Sequence, residues 1–154
     1  MNQLAMGKLV GFYQGTTSRI NLLQHVALLG ARLYVAYVFF MSGLTKIEDW
    51  DTTLWLFEEE YSVPLLNHEF AAFLATGGEL ILPVLLAIGL ATRFSAMGLF
   101  IVNVVAVISL EDIAVAAYNL HLIWGILLAN VFIFGAGYLS ADKQISKYLA
   151  QPQS

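Results

Sequence analysis

The chain carries, at residues 70–91, the stretch FAAFLATGGELILPVLLAIGLA, in which Glu79 is the only charged residue. About 20 mostly apolar residues are enough for a helix to cross the hydrocarbon of a bilayer. The stretch is apolar nearly all round, which suits lipid better than a soluble bundle with one wet face. It therefore predicts a membrane-spanning helix.

Three further stretches have the same character, at residues 26–44, 94–110 and 118–139. The connections between them are short, apart from the acidic segment between the first two. We therefore predict an all-α fold, an integral membrane four-helix bundle with a short interfacial helix in the first external loop. Its expected parts are an N-terminal lead-in (1–25), the transmembrane domain (26–142) and a C-terminal tail (143–154).

The composition agrees with a membrane protein. Of the 154 residues, 59% are hydrophobic and 12% are charged, whereas charged residues make up about a quarter of an ordinary soluble domain. So few polar groups cannot cover a water-facing surface, which excludes a soluble enzyme and a disordered tail. The net charge of −4 argues against a nucleic-acid partner. The absence of cysteine excludes disulfides, thiolate nucleophiles and cysteine-ligated clusters within the chain.

Lysine and arginine outside the spans predict the orientation, because they accumulate on the cytoplasmic side. With four spans, five of them share the face that carries both termini: Lys8, Arg19, Arg93, Lys143 and Lys147. The other face has Lys46 among many carboxylates. We therefore expect a multi-pass protein with cytoplasmic N- and C-termini. The lipid bilayer is its first expected partner.

The interfacial helix is predicted at residues 50–61, with Asp51 as its N-cap and Pro64 as the residue that breaks it. The side chains expected to rest on the headgroup layer are Leu54, Trp55, Phe57 and Tyr61.

Arg32 and Glu79 are ionisable groups inside predicted spans, and His121 is a third polar group at depth. A charge at a helix centre costs about 2.5 to 3.5 kcal/mol on insertion scales, so such residues normally face the bundle interior and pair. The helical rise puts Arg32 and Glu79 about 8 Å apart in depth, which two long side chains can bridge. We expect this pair to form. Either it fixes the helix register, or it belongs with His121 to a polar site for a quinone, a proton or a small polar ligand.

The remaining polar candidates lie near the ends of the spans. Lys46 is either a snorkelling interfacial anchor or a cation at the mouth of a cavity. His25 and His68 lie near opposite ends of their spans, so the three histidines do not converge and no metal site is predicted. The glycines of residues 135–142 are expected to end the last span and bring the tail close, rather than to bind a dinucleotide.

Several of these features together resemble the DoxX family. They are Arg32, FFMSGLTK at 39–46, Glu79, Leu82-Pro83, LATRFSA at 90–96 and the Gly-x-Gly-x-x-Ser-x-Asp close at 135–142. The resemblance covers residues 26–142. It implies a four-helix protein of the bacterial inner membrane, related to a subunit of a thiosulfate:quinone oxidoreductase. By position, Arg32, Lys46, Glu79 and Arg93 match the family's recurrent polar residues. We take Lys46 and Arg93 as polar residues at a mouth or interface.

Residues 47–66 resemble one branch of the family, often encoded beside enzymes that modify small copper-binding peptides. The resemblance implies a function in membrane redox or copper homeostasis. We consider first an accessory component of a membrane redox system with a quinone-type ligand near Arg32 and Glu79. The alternative is a non-enzymatic assembly, export or anchoring subunit for a partner enzyme or peptide. A small transporter is the third hypothesis. A protein partner is expected, a homo-oligomer is allowed, and enzymatic activity stays open.

Overall fold

The computed structural model describes residues 3–150, which form six helices. They are α1 (Gln3–Glu48), α2 (Trp50–Glu59), α3 (His68–Ile88), α4 (Thr92–Ile108), α5 (Val115–Phe134) and α6 (Ala141–Leu149). Residues 3–150 contain no strand beyond an isolated bridge between Tyr61 and Leu110. The prediction of an all-α fold is confirmed.

Three helices are long and apolar enough to cross a membrane: Leu23–Glu48 within α1, all of α3, and all of α5. The fourth apolar helix, α4, has 17 residues, the lower limit for a span. Four apolar helices are therefore present where four spans were predicted, while the count of four crossings stays a prediction. Helix α5 ends at Phe134, five residues before the predicted end, because Gly135 follows with a φ of 76° and ends the helix.

The predicted boundary between the lead-in and the first span lies inside a helix. Helix α1 runs without interruption through residue 25, so the lead-in continues the first span as one helix. Residues 1–2 and 151–154 of the predicted terminal segments lie outside the described residues. So do the side chains of Lys8 and Arg19, on which part of the orientation prediction depends.

The core lies where α1, α3, α4 and α5 meet, with α1 and α4 each packed against both α3 and α5. Its buried members are Val35, Ala36, Phe39, Leu86, Ala96, Leu99, Leu128 and Val131. Large apolar side chains such as Ile81, Ile101 and Ile133 are more than half exposed on the outer faces. An apolar exterior around an apolar core is what a lipid environment requires, because lipid replaces water as the solvent.

Helix α2 is capped by Asp49 and not by Asp51, so that prediction was wrong. The Asp49 carboxylate accepts hydrogen bonds from the backbone N–H of Thr52 (3.0 Å) and from its hydroxyl (2.7 Å). These bonds lower the pKa of Asp49. Helix α1 extends to Glu48, so the chain turns at the next residue and Asp49 takes the cap position.

Helix α2 also packs differently from the prediction. Phe57 is buried against Ala71 and Ala72 of α3, and Tyr61 packs against the same cluster. These two aromatic rings meet edge to face with centroids 5.0 Å apart. The expectation that Phe57 rests on the headgroup layer was wrong, because its ring is buried against α3. For Tyr61, which is partly exposed, the expectation stays a prediction. Trp55 is 54% exposed and is free to face the headgroups.

Candidate functional site

The charged group nearest to Glu79 is Lys46. The Lys46 Nζ lies 2.6 Å from the Glu79 Oε2 and donates a second hydrogen bond to the Ser42 hydroxyl at 2.9 Å. The side chains are 21% and 8% exposed, respectively. Gly43 makes the pair geometrically feasible: a Cβ there would lie 2.9 Å from Leu80, so α1 and α3 touch at this point. Lys46 follows one turn later and reaches the carboxylate.

A cavity of about 330 Å³ lies beside this ion pair, between α3 and α4 and beneath α2. Ser42, Lys46 and Glu79 supply polar groups to its lining. The rest of the lining is largely apolar, with Tyr61, Ser109 and His121 as further polar members. Burial, and then the charges of Glu79 and Glu60, raise the pKa of Tyr61 and keep its phenol protonated. The cavity thus has mostly apolar walls that contain one ion pair with no net charge.

His121 is held by Asn103 on α4. The Asn103 Nδ2 donates to the backbone carbonyl of His121 at 2.9 Å, so its Oδ1 faces the ring, 2.8 Å from the His121 Nδ1. The Nδ1 must then carry the proton, and the Nε2 is left as an acceptor. The ring also meets Trp124 edge to face at 4.9 Å. This arrangement fixes the tautomer of a histidine in the cavity wall.

Arg32 does not pair with Glu79, so the expected ion pair was wrong. The Arg32 side chain, buried on α1, donates to three carbonyl oxygens, those of Ala136 (2.6 Å), Ala87 (3.1 Å) and Leu139 (3.0 Å). These carbonyls belong to the end of α3 and to the segment between α5 and α6. Arg32 therefore ties together the end of the bundle remote from α2, which we call the junction end (residues 87–93 and 135–142).

Asp142 completes the junction end. Its carboxylate accepts from the backbone N–H groups of Ala91 (2.8 Å) and Thr92 (2.9 Å), which begin α4. Burial alone would raise the pKa of Asp142, but these bonds and the positive charge of Arg32 outweigh it and lower the pKa. Gly89 must be small here, because a Cβ would lie 2.6 Å from the Cβ of Ser140. The expectation that the glycine-rich close brings the tail near the bundle is confirmed.

Arg93 lies at the junction end and not at the cavity. It is exposed and donates a hydrogen bond of 3.3 Å to the carbonyl of Ile133. The structure thus brings together Lys46, Glu79 and His121 from the predicted polar residues and sets Arg32 and Arg93 apart from them. The contribution of Ser42 was not predicted. Its position four residues before Lys46 on one helix face was the available signal.

Metal ligands do not cluster in the described residues 3–150, which contain no group of three or more histidine, aspartate or glutamate side chains suited to a metal ion. His25 lies at the junction end, where its ring stacks edge to face on Tyr138 at 4.1 Å.

The fold and the apolar helices define a helical membrane protein, and comparison with known proteins assigns its family. The DoxX family model matches residues 27–112, so the chain belongs to the DoxX family. A protein of Haemophilus influenzae, named only as uncharacterized, is 37% identical over 131 residues, covering 79% of this chain and 85% of that protein. No solved structure matches the chain. The prediction of DoxX membership is confirmed.

Proposed function

We propose that this DoxX protein binds a neutral amphipathic ligand of the quinone class in the cavity and serves as an accessory component of a membrane redox system. The observation that carries the proposal is the buried Lys46–Glu79 pair in the wall of a mostly apolar cavity. Two opposite charges offset each other's desolvation cost, and the pair carries no net charge. The site therefore does not favour a charged ligand. It offers hydrogen bonds within an apolar enclosure, which suits a neutral polar head.

Lys46 has one N–H donor available for the polar head of such a ligand. An ammonium group has three N–H donors, and Ser42 and Glu79 take two of them. The third can donate to a carbonyl oxygen of a quinone. A hydrogen bond to a charged donor contributes about 1.5 to 3 kcal/mol, enough to orient a small ring.

His121 supplies the complementary group. With its Nδ1 proton committed to Asn103, its Nε2 can accept a proton from the hydroxyl of a quinol. Oxidation of a quinol to a quinone releases two electrons and two protons. The Nε2 of His121 and the carboxylate of Glu79 can each accept one of these protons. A partner redox enzyme has to take up the two electrons, since the chain has no cysteine to hold a cluster.

The test is a titration of the purified protein in lipid nanodiscs with a short-tailed benzoquinone. Quenching of tryptophan fluorescence reports binding, because Trp124 lies against His121. The Lys46→Met/Glu79→Gln double variant removes both charges and leaves neither unpaired. We expect it to weaken binding at least tenfold, which corresponds to about 1.4 kcal/mol.

A histidine outside the cavity provides the matched control. His121→Gln should weaken binding, whereas His68→Gln, at the start of α3, should not. The proposal fails if the wild type shows no saturable binding, or if the double variant binds as the wild type does.

The rival functions predict different results. An assembly, export or anchoring subunit would co-purify with a stoichiometric partner enzyme or peptide and without a bound quinone. The resemblance of residues 47–66 to the copper-peptide branch motivates that rival and stays a prediction. A small transporter would produce flux in proteoliposomes.

A further inference from the structure

The end of the cavity nearest α2 is closed by the chain itself. Ser62 donates its backbone N–H to the carbonyl of Ser109 at 2.9 Å, and Tyr61 forms a bridge with Leu110. These contacts join the segment after α2 to the end of α4. Phe57 and Tyr61 then form a wall of the cavity there. A ligand approaching along the bundle axis from this end meets backbone and aromatic rings.

Helices α3 and α4 also close the cavity towards the bundle centre. A Cβ on Gly98 of α4 would lie 2.6 Å from the Leu82 side chain of α3, and one on Gly78 would lie 3.4 Å from Val102. The two helices therefore touch at this level. Closer to α2, small side chains such as Ala75 and Ala106 line the space between them.

The open side of the cavity is apolar. The exposed members of its lining are Leu66, Leu74 and Ile101, which are 39%, 51% and 55% exposed. Leu74 lies on α3 and Ile101 on α4, both within the apolar helices. No charged side chain of the lining is exposed to the same degree within the described residues. An apolar mouth between two such helices is suited to contact with lipid rather than with water.

We infer that the ligand enters sideways from the lipid between α3 and α4 and carries an apolar tail that stays in this opening. The inference rests on the proposed function and narrows its ligand to tail-bearing, membrane-dissolved molecules. The volume of about 330 Å³ is at the small end of the range of about 300 to 1,000 Å³ for ligand pockets. It accommodates a ring, and a long isoprenoid tail has to extend past Leu74 and Ile101.

The test compares an isoprenoid-tailed benzoquinone with its tailless counterpart in nanodiscs, each affinity expressed per mole of quinone in the bilayer. The wild type should prefer the tailed molecule at least tenfold. The Leu74→Trp/Ile101→Trp double variant narrows the mouth and should reduce this preference to about threefold or less. Ile81→Trp is the matched control, because Ile81 is an exposed residue of α3 outside the cavity lining. It should keep the wild-type preference.

The outcomes separate the inference from the function beneath it. If the wild type binds both quinones equally, or if the double variant retains the full preference, lateral entry with a retained tail is overturned and the proposed function stands. If the wild type binds neither quinone, the proposed function is overturned and the inference falls with it. Circular dichroism and thermal unfolding of each variant show that a lost preference does not come from a lost fold.

Discussion

Replacement of Arg32 by methionine tests whether this buried arginine is a structural tie. The change keeps most of the aliphatic volume and removes the guanidinium group. Three backbone carbonyls, those of Ala87, Ala136 and Leu139, lose their donor. Asp142 also loses the positive charge that helps to keep it ionised. The expected result is a protein that retains its helices and whose junction end opens at lower denaturant.

The magnitude follows from the number of bonds. Hydrogen bonds between helices in a membrane contribute about 0.6 kcal/mol on average and up to about 1.7 kcal/mol. For the three bonds of Arg32 we therefore expect a loss of about 2 to 5 kcal/mol in the free energy of unfolding. That is a large part of the total stability of a domain of this size, about 5 to 15 kcal/mol. Arg32→Lys keeps a charge with fewer donors and should recover part of the loss.

The assay is unfolding in mixed micelles with increasing sodium dodecyl sulfate, followed by circular dichroism. Arg93→Met is the matched control. Arg93 is exposed and makes one hydrogen bond, of 3.3 Å, so its loss should cost less than about 0.5 kcal/mol. The reasoning is refuted if Arg32→Met unfolds within 0.5 kcal/mol of the wild type. A variant with unchanged stability and no quinone binding would instead make Arg32 a ligand-binding residue.

Three further predictions concern the junction end and the cavity. Folding lowers the pKa of Asp142, so its carboxylate stabilises the protein at pH values above its unfolded pKa of about 3.9. This stabilisation is lost as the pH falls through the folded pKa. Asp142→Asn should therefore remove that part of the acid destabilisation measured by thermal unfolding. Gly89→Ala should lower the free energy of unfolding by about 1 to 3 kcal/mol, because φ is +72° and the space for a Cβ is filled. Gly77→Ala should be tolerated, because no atom lies within 4 Å of a Cβ there. Equal unfolding curves of the two variants would contradict this prediction. Asn103→Leu frees the His121 ring and should weaken quinone binding about threefold to twentyfold. Asn130→Leu is the control and should not weaken binding, because the Asn130 amide bonds a carbonyl of its own helix. Equal quinone affinities of the two variants would contradict the contribution of His121 to binding.

The helices were predictable from the sequence because a membrane span is a local property of about 20 consecutive residues. Glycine also acts locally, so the sequence indicated that the glycines of residues 135–142 end the last span and bring the tail close, although the span itself was predicted five residues too long. The buried polar residues were recognisable for a similar reason, since a charge in an apolar stretch is costly wherever its partner lies.

The partners of those residues could not be predicted, because they depend on helix ends and on the contact between helices. The first span was expected to end at residue 44, whereas α1 continues to Glu48 and carries Lys46 into the bundle. Gly43 lets α1 and α3 touch beside Glu79, so Lys46 forms the ion pair with the Glu79 carboxylate. Arg32 donates its hydrogen bonds to backbone carbonyls instead. Carbonyls at helix ends leave no mark in the sequence, since every residue has one.

The N-cap of α2 was predicted at Asp51 and lies at Asp49 for the same reason, because it depends on where α1 ends. Both residues are suitable caps, and only the position of the turn after α1 decides between them.

Native mass spectrometry of the protein, extracted gently from its own membranes, shows whether the cavity holds a quinone-class molecule. We predict that the wild type carries one neutral lipid-soluble molecule of the quinone class for each chain. We also predict that the Lys46→Met/Glu79→Gln double variant, correctly folded by circular dichroism, has lost that mass. A wild type that carries no such molecule, or a double variant that carries it in the same amount, would show that the cavity is not a quinone site.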